Sequence, residues 1–225
     1  MRIVAVIPAF NEEARVGAVV RDVLAHALAA VVVDDASHDR TGQMASEAGA
    51  IVLTHALNRG QGAALQTATD YALKFLEPDI LVHFDADGQM QASDIEALIV
   101  PILRGEADVV LGSRFLGVRA VDMPRARRWL LKASVGFTLI LSGLKVSDPH
   151  NGFRALSRRA AEDIRISLDR MAHPSEILDL IKSQAWRYME HPVTIRYTRE
   201  TLLKSPSGWR AIEIIRDLLK KKFVR

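Results

Sequence analysis

Five short apolar runs, each stopped by a polar or glycine-bearing motif and followed by a change of pattern, constrain this chain most. Arg2–Ile7, Val31–Val33, Ala50–Thr54, Ile80–Phe84 and Asp108–Leu111 read as strands. They are continuous runs, which is how strands buried on both faces are written. Between them Glu12–Ala29, Asp39–Ala48, Gly62–Leu76 and Ser93–Leu103 read as helices, the first with Val16, Val19, Val20, Val23 and Leu24 on one side. Ser93 is the expected N-cap of the fourth helix. Strands alternating with helices predict an α/β fold with a mostly parallel sheet covered on both faces. Such sheets bind ligands beyond the carboxyl ends of their strands. Those ends carry Pro8–Glu12, Asp34-Asp35, Asn58–Gly62, Asp85–Gln89 and Gly112–Arg114.

The second half is less regular. Arg125–Leu141 predicts a basic, then apolar helix, and Asp148–Arg154 a loop. Arg158–Ile166 and Ser175–Lys182 predict helices, and Trp186–Thr198 an extended stretch broken near Pro192. Trp209–Phe223 predicts an amphipathic helix with a basic end at Lys220–Lys222. No repeat, low-complexity tract or linker divides the 225 residues, so one domain is expected.

Composition narrows the function classes. The chain has no cysteine, which excludes disulfides and thiolate metal sites. Its 30 Lys plus Arg against 27 Asp plus Glu give +3, too little to imply a nucleic-acid partner. The apolar run at the N-terminus meets Pro8 and two acids, which fits a first strand and not a signal peptide. Ala133–Leu144 is uncharged but shorter than the ~20 residues of a spanning helix, so any membrane role is expected to be peripheral.

The most informative segment is His83-Phe84-Asp85-Ala86-Asp87-Gly88-Gln89. On an extended chain Asp85 and Asp87 point the same way, and Gln89 adds a neutral oxygen. Oxygen ligands of this kind suit Mg²⁺ or Mn²⁺ completed by substrate phosphates. A pair of solvated turn acids is the plain alternative. Asp34-Asp35 ends the second strand, where an acid accepts from a ribose or a base edge, or caps the next helix. A dinucleotide-binding fold needs a Gly-x-Gly-x-x-Gly turn after the first strand, and Pro8–Glu12 has no glycine. Asn58–Gly62 precedes a helix, where backbone N–H groups meet a phosphate or sugar, or simply form a tight turn. Arg114 ends the fifth strand, placed for a phosphate or an ion pair.

Taken in order, Ile7-Pro8-Ala9-Phe10-Asn11-Glu12, Val33–Ser37, Asn58–Gly62, Asp85–Gln89, Gly112-Ser113-Arg114 and Asp148–Arg154 resemble the family 2 glycosyltransferases. The likeness covers about residues 3–200 and looks nearest to the polyprenyl-phosphate, dolichyl-phosphate mannose synthase-like branch. It implies a GT-A fold: a Rossmann-like, nucleotide-sugar-binding half over 1–115 and an acceptor half over 116–205, with 206–225 as a C-terminal helix. It implies an inverting transfer of one sugar from a UDP- or GDP-sugar, with Mg²⁺ or Mn²⁺. Carried over by position, Pro8, Phe10, Glu12, Asp35 and Gly60 would hold the donor, and Asp85, Asp87 and Gln89 the metal and diphosphate. Arg114 and one of Arg125, Arg127 or Arg128 would meet phosphates, and Asp148, Asn151 and Arg154 would belong to the acceptor side. Ala36 stands where the family usually has Gly or Asn, a departure of little expected consequence. The Gln-x-x-Arg-Trp motif of processive synthases is missing, which argues for single transfer. The stretch Tyr197–Ser207 lacks the Ser-Lys element typical of mannose synthases, so mannose is not assumed.

The acceptor stays open between two readings. A lipid phosphate such as a polyprenyl phosphate is already largely anionic near neutral pH and needs positioning, not a strong base. Pro124–Trp129, with its three arginines and the apolar helix behind it, suits a bilayer interface. The expected setting is then the cytoplasmic face of the membrane, with a small integral membrane partner conceivable. A soluble hydroxyl acceptor would instead need a base, for which His173, Glu176 and Asp148 are the candidates. A third reading keeps the fold as a non-catalytic nucleotide-sugar-binding module.

Overall fold

The computed structural model describes residues 1–116, 144–167 and 173–196. Seven strands form one sheet: β1 (Ile3–Ala9), β2 (Ala29–Asp34), β3 (Ile51–Thr54), β4 (Ile80–His83), β5 (Val109–Ser113), β6 (Arg154–Ser157) and β7 (Tyr188–Pro192). Their spatial order is β3-β2-β1-β4-β6-β5-β7. All run parallel except β6, which is antiparallel to both β4 and β5. The helices are α1 (Val16–Leu24), α2 (Thr41–Glu47), α3 (Gln61–Phe75), α4 (Asp94–Leu103), α5 (Arg158–Asp163) and α6 (His173–Ser183).

The continuous apolar runs are explained by the two cores they feed. Ala5, Ile7, Val32 and Val82 point to the layer containing Val16, Val19, Val20 and Val23 of α1 and Ile95, Leu98 and Ile99 of α4. Val4, Val6, Val31 and Val33 point to the opposite layer, with Ala64, Leu65 and Ala68 of α3 and Ile177, Leu178 and Ile181 of α6. Each buried aliphatic side chain contributes about 1.5–3 kcal/mol. Register then levels the strand ends. Ala9 lies opposite Asp34, Asp34 opposite Thr54, and His83 opposite Val6. The loops after β1, β2, β3 and β4 therefore open on one edge.

Several expected boundaries move. The first helix runs only Val16–Leu24, because Glu12 accepts from Arg15 and Val16 in a preceding turn and Ala29-Ala30 pair with Val4-Ala5 in the sheet. Ser93 has helical dihedrals and makes no side-chain cap, so it is already inside the turn it was expected to start. Arg154 is not a loop residue; it opens β6, inserted between β4 and β5. The predicted helices Arg125–Leu141 and Trp209–Phe223 lie outside the described residues. Among the described residues no helix is long and apolar enough to cross a membrane.

Gly112 lets β5 approach β6. Its N–H donates to the Phe153 carbonyl at 2.8 Å, and a Cβ on Gly112 would stand 2.8 Å from that same oxygen and 3.0 Å from Val193. Gly112→Ala is expected to destabilise the fold by about 1–3 kcal/mol, because backbone must move; an unchanged thermal midpoint would contradict this contact.

His83 ends β4 inside the protein, 3% exposed, with Nδ1 unpartnered among the described residues. Burial pulls its pKa down to about 3, helped by the charge of Arg154 and by His173. Below its unfolded value of 6.5 the unfolded chain takes up a proton that the folded chain refuses. Stability attached to this group is thus present above pH 6.5 and lost as pH falls, about 2 kcal/mol by pH 5. Urea unfolding at pH 7 and pH 5 should show that loss, and His83→Gln should flatten it.

Candidate active site

The edge on which the loops after β1, β2 and β3 open is laced together by side chains that bond backbone. Asp35 follows β2 and is 3% exposed. Its carboxylate accepts from Arg59 N at 2.9 Å, Gly60 N at 2.6 Å and the His55 ring at 2.7 Å. The other nitrogen of His55 bonds Thr67 on α3 at 2.9 Å. The amides of Arg59 and Gly60, expected to meet a phosphate, are thus spent on Asp35. The loops after β1 and β2 are joined as well. Asn11 N donates to Ser37 Oγ at 2.9 Å, and His38 N to Asn11 Oδ1 at 2.9 Å. Phe10, 41% exposed, stands edge-on to His38, with ring centroids 6.2 Å apart. Pro8 lies within β1 opposite Val33. Glu12 pairs with Arg15 at 2.8 Å, and its N–H reaches Thr41 Oγ1 at 2.8 Å.

Asn11 and Ala36 both have positive φ, 54° and 60°. Ala36 is therefore a departure with a consequence. It holds the left-handed conformation that Gly and Asn adopt most easily, at a cost of roughly 1–2 kcal/mol for other residues.

Asp85 and Asp87 are not on an extended strand. The chain turns at Ala86-Asp87, and Asp87 Oδ1 accepts from Gln89 N at 2.9 Å. The two carboxylates are still close enough to repel. Withdrawal from water first, and the charge of Asp87 second, push the Asp85 carboxyl well above the usual range, against the pull of Arg154, a hydrogen bond from Gln61 and Arg114. Gln61 Nε2 donates to Asp85 Oδ1 at 2.8 Å. Gln89 is tied through its backbone, its carbonyl accepting from Arg196 N at 2.8 Å. Among the described residues no cluster of three His, Asp or Glu is assembled. The donor set at this turn is nevertheless all oxygen, and its two mutually repelling carboxylates gain from a hard divalent cation. The residues fit such an ion if ligand phosphates complete its shell.

On the other side, expectation needs correction. Asp148 takes Arg114 Nε and Nη2, both at 2.6 Å, and Arg114 N at 3.0 Å. Arg114 and Asp148 are 11% and 2% exposed at the side chain, so each largely neutralises the other; neither is an open phosphate ligand or base. Glu190 of β7, unnoticed in sequence, supports this pair by accepting from Ser147 N at 2.7 Å and Ser147 Oγ at 2.8 Å. Ser147 also bonds Ser113 at 2.6 Å. Arg154 is 1% exposed, and Nη1 and Nη2 find no hydrogen-bond partner among the described residues. Burial lowers its pKa to about 10, so it stays charged, as a fixed cation behind Asp85 and Asp148 and not on an acceptor surface. Asn151 serves its own loop through Phe153 N at 3.1 Å. Glu176, a proposed base, is 6% exposed and accepts from both N and Oγ of Ser167; His173, at the start of α6, is 2% exposed. Burial shields both, and Glu176 is also engaged by Ser167. Arg125, Arg127 and Arg128 lie outside the described residues.

His55, Gln61, Ser147 and Glu190 are the residues sequence reading missed. His55 directly follows β3, so its place at the ligand edge was a usable signal. Glu190 is an acid in a predicted strand, a second usable signal. Ser147 gave none, and Gln61 was visible only as a member of the Asn58–Gly62 turn.

The chain is similar to known proteins over most of its length. Residues 4–165 match the family described as Glycosyl transferase family 2. An uncharacterized protein of Methanocaldococcus jannaschii is 34% identical over 222 residues, 96% of this chain and 90% of that protein. The UDP-N-acetylglucosamine–dolichyl-phosphate N-acetylglucosaminyltransferase of Methanococcus voltae is 29% identical over 238 residues, 96% and 94% of the two chains. The dolichol-phosphate mannosyltransferase of Pyrococcus furiosus is 30% identical over 84% of this chain and 54% of its own length. Glucosyl-3-phosphoglycerate synthase from Mycobacterium tuberculosis, crystallised with Mn²⁺, UDP and phosphoglyceric acid, superposes with a TM-score of 0.71 at 20% identity, covering 97% of this chain and 76% of that one. The shared fold is GT-A.

Ala36→Gly is expected to raise stability by about 0.5–1 kcal/mol, by removing the Cβ from a left-handed position. A lower thermal midpoint for that variant would refute the strain.

Proposed function

The chain belongs to glycosyl transferase family 2, and from that premise we propose that it transfers one sugar, with inversion, from a UDP- or GDP-sugar to a polyprenyl phosphate at a membrane surface. The observation that carries this reading is the pairing of Asp85 and Asp87 beside the Asp35-ordered loop on one edge of the sheet. The first pair suits a cation-bound diphosphate, and the second a nucleoside. The lipid acceptor is supported by the Methanococcus voltae relative, whose name specifies dolichyl phosphate and which this chain matches over nearly its full length.

In this reading the nucleoside lies against Pro8, Phe10 and Glu12, while Asp35 fixes the Asn58–Gly60 loop beside it. Asp85 and Asp87, with an oxygen of Gln89, would hold Mg²⁺ or Mn²⁺; such an ion, when bound, draws charge from the departing diphosphate. The acceptor phosphate attacks the anomeric carbon from the opposite side. It brings its own negative oxygen, so no side chain needs to remove a proton. That agrees with the burial of Glu176 and His173. With Arg114 committed to Asp148, the acceptor's charge is left to Arg125, Arg127 or Arg128, and Arg154 acts as a fixed background charge. The basic segment and the C-terminal Lys220–Lys222 would bring the enzyme to the inner membrane face, alone or with a small integral membrane partner.

The test is transfer of radiolabelled sugar from a panel of UDP- and GDP-sugars to undecaprenyl phosphate, with Mg²⁺ or Mn²⁺ and with EDTA. Metal-dependent label in the organic phase is expected. Asp87→Ala should lower turnover about 100-fold or more while the chain stays folded by circular dichroism. Full turnover in that variant would remove the metal assignment. Label appearing only on a soluble hydroxyl acceptor such as phosphoglyceric acid would replace the lipid reading with the soluble one.

A further inference from the structure

The Asp85 carboxylate is gripped from two sides by parts of the chain far apart in sequence. On one side Gln61, the first residue of α3, donates Nε2 to Oδ1 at 2.8 Å. Gln61 is in place because the two residues before it, Arg59 and Gly60, are bonded to Asp35. On the other side Oδ2 faces the bare Cα of Gly152. A Cβ built on Gly152 would stand 2.8 Å from Oδ2, 3.2 Å from Oδ1 and 3.3 Å from Cγ of Asp85.

Gly152 is not glycine for the sake of its backbone. Its φ lies outside the positive region, so an alanine would be accepted locally. The three nearest atoms that a methyl would meet all belong to Asp85. Nor can the glycine loop simply move away. Asn151 Oδ1 holds Phe153 N at 3.1 Å, and Phe153 packs edge-on against Phe84 with centroids 5.1 Å apart. Phe84 is the residue before Asp85, so the same aromatic contact that seats the carboxylate also seats the glycine. A methyl at 152 would displace the end of a flexible carboxylate, which is cheap for the fold and direct in its effect on the site.

We infer that Gln61 and Gly152 are positioning residues that set the orientation of Asp85 toward the donor's diphosphate-bound cation. This rests on the reading of Asp85 as a residue of that site. Gln61 fixes one oxygen by hydrogen bond, and Gly152 leaves room for the other. Loss of a partner that orients a metal-binding carboxylate typically weakens metal affinity 10- to 100-fold.

Gln61→Ala and Gly152→Ala test this by binding, separately from turnover. Free Mn²⁺ is followed by electron paramagnetic resonance during titration of each protein in the presence of UDP, and in parallel of GDP. The wild type should take up Mn²⁺ with one of the nucleotides. Each variant, in its folded fraction, should bind it on the order of 10-fold more weakly, with an unchanged KM for undecaprenyl phosphate. A purely structural role would lower the midpoint and leave the Mn²⁺ constant of the folded fraction alone. Should Gly152→Ala not fold, Gln61→Ala carries the test by itself. Wild-type Mn²⁺ affinity in the folded variants overturns the inference and leaves the donor site standing. A wild type that takes up no Mn²⁺ with either nucleotide overturns the donor-site reading and this inference with it.

Discussion

One buried carboxylate holds the loop-bearing edge of the sheet in shape. Asp35 collects the amides of Arg59 and Gly60 and the ring of His55, and its own N–H goes back to Ala9. It thereby ties the ends of β1, β2 and β3 to the start of α3. Each of those donors, left unpaired in a site shut off from water, would cost about 1–3 kcal/mol. The acid is thus committed to its own protein first. Any nucleoside it helps to bind meets a loop that Asp35 has already built. The position of Gln61, and through it that of Asp85, descends from the same group.

The region where β5, β6 and β7 meet is organised by charge in a different way. Arg114 and Asp148 form a forked pair with little exposure, seated on Ser147, which Glu190 holds in turn. Such pairs add little net stability, since taking both ions out of water offsets much of their attraction, but breaking one side leaves a stranded charge. The pair therefore acts as a lock on geometry more than as a source of free energy. Arg154 supplies a permanent positive charge underneath.

Sequence reading and structure agree where burial on both faces writes long apolar runs, as in β1, β2 and β4. They part where a signal is short or is shared by two states. β6 has four residues and starts with arginine, so nothing marked it as a sheet member between β4 and β5. The alanines after α1 continue a helical pattern, but pairing with β1 claims them for β2. Residue types in the site were legible: acids after strands, an arginine after β5, an acid in the first turn of α6. Their partners were not, because Arg114 and Asp148 are 34 residues apart and only the antiparallel return of β6 brings them together. Ala36 shows the reverse case. A substitution that looks mild in sequence sits at φ 60°, where side chains are disfavoured.

The bonds between Ser113 and Ser147 and between Arg114 and Asp148 also say something about how this scaffold can vary. They bring the point where the chain leaves the sheet next to the point where it comes back. The two joints therefore form a fixed stem. Lengthening a closed excursion costs only about 0.6 kcal/mol of chain entropy per doubling. A change of length between the two joints therefore falls mainly on the chain's entropy, while the Ser113–Ser147 and Arg114–Asp148 bonds keep the joints themselves in register.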